Sequence, residues 1–142
     1  GWTVDSQTWW GGDNPSTPGA LGNPDATDGN YIFGVWDGSR MAAAISQTLQ
    51  LPAGDYVLAA DMHASNNATV RVGKQRIFAG ENVAYFAHQI NNPGKRDTAP
   101  MQTLTLPFTV QSAVPVTIGA ATSDAPAETW FKVDNFRLYR KK

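Results

Sequence analysis

His63 and His88 are the two histidines of a 142-residue chain, and any acid–base chemistry would have to combine them with its 12 acidic side chains. Only Glu81 and Glu128 among those acids are glutamates. The rest are Asp, mostly in turn-like stretches where hydrogen bonding to the local backbone accounts for them, so the facing carboxylates a glycosidase needs are not marked out. Both histidines read as lying in separate loop-like positions. The chain has no Gly-x-Ser-x-Gly elbow between strand and helix, no His-Glu-x-x-His, no phosphate-binding loop and no dinucleotide fingerprint. Cysteine is absent, which excludes thiolate metal sites, a Cys nucleophile and a disulfide framework together. Catalysis is therefore not expected.

Aromatic side chains are the chemistry that remains. Five Trp in a chain of this length is high. Rigid ring faces suit sugars, because the C–H face of a pyranose stacks on a ring while nearby polar groups satisfy its hydroxyls. The aromatics near turns are Trp9, Trp10, Tyr85, Phe86 and Trp130, with His63, Asn66, His88 and Arg96 as polar partners. Trp9 and Trp10 are adjacent, so in a strand they would face opposite ways, and at least one is expected to meet solvent or a ligand. Trp2, Phe33, Trp36, Phe108, Phe131 and Phe136 are expected in the core.

One carboxylate reads differently from the others. Asp134 sits inside the hydrophobic run Thr129–Arg140, where Phe131 and Val133 share one phase of alternation and Phe136 and Leu138 share the other. One extra residue at Asp134-Asn135, a β-bulge, would return all four to one face. A carboxylate turned out of register there must be hydrogen-bonded, paired or coordinated. Lys132 and a Ca²⁺ ion are equally good partners on sequence grounds.

The elements that must position these residues are strands. Gly29–Asp37, Met41–Leu51, Tyr56–Met62, 68–72, Gln75–Phe78, Leu104–Val110, Val114–Ala120 and Thr129–Arg140 all read as β, with turn signals about every ten residues. The Ala42–Ala44 run tempts a helix reading, but the alternation of Ile45, Leu49 and Leu51 outweighs it. Pro52-Ala-Gly-Asp55 reads as a turn joining its flanking strands into a hairpin. Residues 79–100 and 122–128 read as irregular, and Pro107 argues for an edge strand or a bulge. Eight or nine strands without a helix predict an all-β antiparallel sandwich of jelly-roll type, residues 1–142 forming one domain.

Composition narrows the partners. A net charge of −1 gives no electrostatic pull towards nucleic acid, and no apolar run approaches the roughly 20 residues of a membrane-spanning helix. A monomer is expected.

The segments 28–39 (DGNYIFGVWDGS), 45–62 (ISQTLQLPAGDYVLAADM) and 130–139 (WFKVDNFRLY) together resemble the galactose-binding-domain-like jelly rolls. Within that group the chain is similar to carbohydrate-binding modules and accessory domains of secreted bacterial polysaccharide-degrading proteins. The resemblance implies non-catalytic glycan binding by one module of a larger exported protein, at a secreted, periplasmic or cell-surface location. It also implies a structural Ca²⁺ held by Asp134 with an acidic residue and carbonyls near the amino terminus. The start at Gly1-Trp2, without a signal sequence, reads as a mature or trimmed terminus. Two other functions stand beside this one: a structural or protein-interaction sandwich, and a small glycan-processing enzyme.

Overall fold

A computed structural model describes residues 2–6, 33–37, 41–66, 75–86, 101–125 and 129–142. Their regular structure is all strand: β1 (Thr3–Ser6), β2 (Phe33–Asp37), β3 (Met41–Leu51), β4 (Gly54–Asn66), β5 (Arg76–Ala79), β6 (Asn82–Tyr85), β7 (Gln102–Val110), β8 (Val114–Ala125) and β9 (Thr129–Arg140). Every pairing is antiparallel. The strands form two sheets, one ordered β1-β3-β8-β5-β6 and the other β2-β9-β4-β7. The result is a β-sandwich of jelly-roll type.

The core lies between the sheets and follows the alternation of each strand. Ile45 from β3, Ile77 from β5 and Ile118 from β8 meet Leu58 and Met62 from β4, Phe108 from β7, and Phe131 and Val133 from β9. In β7 the alternation is sharp: Leu106, Phe108 and Val110 are buried while Thr105, Pro107 and Thr109 are exposed. Pro107 lies on the edge strand of its sheet, where a missing N–H breaks no ladder, and the register with β4 passes it without a shift.

The bulge in β9 is present. Ala59 pairs with Arg137 and Asp61 with Asp134, so Asn135 and Phe136 together oppose Ala60 alone. Asn135 takes the extra residue's conformation, with φ at 54°, which Asn tolerates better than branched residues do. Phe131 and Val133 are buried, and Phe136 and Leu138 pack against the same core, as the phase break predicts.

Several sequence expectations change. β3 and β4 are not a hairpin: β3 pairs with β1 and β8, and β4 with β7 and β9. The segment between them crosses from one sheet to the other. It is fixed by the Tyr56 hydroxyl donating to the Pro52 carbonyl at 2.8 Å and by Arg140 Nη2 donating to the Ala53 carbonyl at 2.7 Å. β6 lies inside a stretch read as irregular, joined to β5 by a tight turn at Gly80, whose φ of 59° suits glycine. β8 continues to Ala125, and β4 runs past Met62 to Asn66, so His63 and Asn66 are strand residues rather than loop residues. Trp2 is not a core side chain; it is 41% exposed and leans on Phe136 with ring centroids 4.6 Å apart.

Candidate functional site

Strand alternation turns Asp61 and His63 of β4, and Lys132 and Asp134 of β9, away from the core filled by Ala60, Met62, Phe131 and Val133. The outward face of an antiparallel sheet is usually solvated. The centre of this one is not: His63 and Lys132 are 1% exposed and Asp61 6%. A polar layer has been taken out of water, which is costly unless its members satisfy one another.

Asp61 shows how that is met. Its Oδ1 accepts from Thr103 Oγ1 at 2.7 Å and from Arg137 Nη2 at 3.3 Å, and its Oδ2 from Asn135 Nδ2 at 3.3 Å. Of these donors Asn135 lies in the bulge and Arg137 just past it. The extra residue at Asn135 lets its amide and the Arg137 guanidinium both reach the carboxylate one strand away. The carboxylate this sheet buries is thus Asp61, not Asp134, which is half-buried. Asp61 stands between Ala60 and Met62 in a run of buried residues, a signal the sequence did carry. Next to it, His63 pairs with Lys132 in the register, and its ring meets Phe86 edge-on at 5.9 Å.

Beyond this row the backbone brings tryptophans together. Trp36 of β2 pairs with Trp130 of β9, and Trp130 in turn with Ser65 of β4. These positions lie two residues from Gly34, Lys132 and His63, in the same phase of the pleat. Asp37, Thr129 and Asn66 form the next row. Sequence reading assigned Trp36 to the core; its register opposite Trp130 could not be seen without the sheet order.

The sequence-predicted site residues divide. His63, Asn66, Trp130 and Asp134 belong to the four-stranded sheet, whereas Tyr85 lies on β6 in the five-stranded sheet and is 64% exposed. Phe86, also considered as a ring at a turn, is buried in the core cluster. Trp9, Trp10, His88 and Arg96 fall outside the described residues. Among the described residues no three His, Asp or Glu side chains gather as a metal site. Asp134 stands opposite Asp61, which is engaged by a guanidinium, an amide and a hydroxyl.

The same architecture occurs in solved structures. A family 61 carbohydrate-binding module, solved in complex with β-1,4-galactotriose, superposes with a TM-score of 0.61 over 99% of this chain and 88% of its own, at 15% identity. A family 16 carbohydrate-binding module gives 0.55 over 82% of this chain and 81% of its own, at 17% identity. The chain shares the β-sandwich fold of these two modules. No protein-family model and no curated protein matches the sequence. At these identities the likeness to the modules lies in the sandwich itself. Side chains that distinguish this module-type fold must be read from its own faces.

Proposed function

We propose that this chain is a non-catalytic glycan-binding module. The ligand meets the end of the four-stranded sheet where Trp36, Trp130, Ser65 and Asn66 adjoin. The observation that carries this reading is the cross-strand pairing of Trp36 with Trp130 beside the buried row of Lys132, His63 and Asp61. Aromatic residues offer stacking surface, and the hydrogen bonds that tie Asp61 to β7 and β9 keep the neighbouring strands fixed, which lowers the cost of ordering on binding. A sandwich shared with modules, one of them solved with a galactotriose, supports the ligand class. In this reading the module serves a larger exported glycan-processing protein as a monomer and gains avidity from its neighbours.

The enzyme reading is weaker. Asp61 and Asp134 are cross-strand neighbours, but Asp61 is buried and saturated with donors, so it holds the sheet together instead of facing a scissile bond.

Affinity electrophoresis against soluble β-galactan and other polysaccharides tests the proposal. Trp36→Ala and Trp130→Ala should each reduce retention by about tenfold or more, the scale of one aromatic anchor. Unchanged retention in both variants, or binding of no polysaccharide by the wild type, would falsify it and leave a structural sandwich.

A further inference from the structure

The other broad face of the sandwich carries a hollow that the four-stranded site does not use. The register aligns one row across all five strands: Asp5 with Ala44, Ala44 with Ala121, Ala121 with Arg76, and Arg76 with Tyr85. Val4, Ile45, Ala120 and Ile77 in the adjacent row face the core, so alternation turns the Asp5–Tyr85 row outward. Ala121 is buried yet stands apart from the core cluster, because it is the floor of the hollow. Around it lie Asp5, Ala44, Arg76 and Ser123, bordering an open hollow of ≈ 280 Å³.

The chemistry of the rim is specific. Strands about 4.8 Å apart set Asp5 and Arg76 roughly 14 Å from each other, with only alanine methyls between. Arg76 is held in place by donation to Ser123 Oγ at 2.9 Å. Tyr85 stands directly beyond it with 64% of its surface exposed. A carboxylate on one wall and a guanidinium on the other cancel in net charge, which disfavours an ionic ligand. Each can hydrogen-bond two adjacent hydroxyls at once. An apolar floor with a few convergent polar groups and one exposed ring is the composition of a small-ligand site, and the volume sits near the lower bound of roughly 300 Å³ for such sites.

We infer that this hollow is a second sugar site, taking one ring of a neutral glycan between Asp5 and Arg76 with Tyr85 against the next ring. It rests on the glycan-binding reading for its ligand class but uses none of the same residues. Two sites on opposite faces would let one module bridge two chains or bind a single surface with avidity.

Amide NMR titration of the whole chain with β-1,4-galactotriose, cellotriose and xylotriose separates the two sites. At least one trisaccharide should shift the amides of Ala44, Ala121, Arg76 and Tyr85 as one saturable set, and should do so equally in a Trp36→Ala/Trp130→Ala double variant. Arg76→Ala should weaken that set by about tenfold, the scale of a hydrogen bond to a charged group, and leave the tryptophan end unaffected. Shifts confined to the tryptophan end would overturn the second site and retain the first. Shifts confined to the five-stranded face would do the reverse, and no saturable shift with any of the three sugars would remove both.

Discussion

The two outward faces of this sandwich are built on opposite principles. The four-stranded face is polar and closed at its centre: Lys132, His63 and Asp61 are buried, and Asp61 is bound by donors from both neighbouring strands, Thr103 on β7 and Asn135 and Arg137 on β9. The five-stranded face is small and open, with alanines at its centre and Asp5, Arg76 and Tyr85 at its edges. Where polar groups are buried, each must be answered by another protein group, so the layer becomes rigid and any substitution is felt structurally. Where they stand at a rim above methyl groups, solvent answers them and a ligand can replace solvent. Burial makes the first face a scaffold for the tryptophan end of its sheet, and exposure makes the second a surface for exchange.

Substitutions can break this contrast in a graded way. Asp61→Ala should cost most, about 3 kcal/mol in urea unfolding, because it leaves Asn135, Thr103 and a largely buried Arg137 guanidinium without their acceptor. A loss well under 1 kcal/mol would mean that the polar layer is not mutually satisfied. Gly119→Ala comes next, at about 2 kcal/mol. A methyl there would overlap the Ile45 carbonyl oxygen and come 2.8 Å from Phe78 Cζ, so two strands of the five-stranded sheet would have to part. Thermal unfolding of this variant shows whether the open face tolerates a change in sheet spacing; an unchanged midpoint would contradict the close approach. Arg76→Ala should be mildest, no more than about 1 kcal/mol, since its bond to Ser123 is only part-buried. A larger loss would make Arg76 a structural residue like Asp61, and the distinction between the faces would fail.

Parts of this were legible in the residue order. The two-phase alternation of Phe131, Val133, Phe136 and Leu138 located the bulge, because a period of two tolerates no insertion without a phase break. Pro107 marked an edge, because a central strand needs the N–H that proline lacks. The segment 52–55 was legible only as a turn. Nothing local distinguishes a turn that returns a strand beside its predecessor from one that carries it to the other sheet. The sheet order was equally hidden: nothing in the residue order places β9 beside β4, opposite Asp61, and beside β2, where Trp36 and Trp130 share a register. The bulge at Asp134-Asn135 was visible in the sequence, and the buried carboxylate its donors reach, Asp61, was not.

What the sequence by itself determined is the kind of molecule: strands, their inward faces, and a sandwich built from them, all set by side-chain period and turn chemistry over a few residues. What only the tertiary structure decided is which outward residues stand together. Strand order joins residues as far apart as Asp5 and Arg76, or Trp36 and Trp130, and that order is selected by burying all inward faces at once, a condition no short stretch contains. The residues available for binding were present in the sequence as scattered rings and charges, and long-range pairing sorted them into a tryptophan end beside a closed layer on one face and an open row on the other.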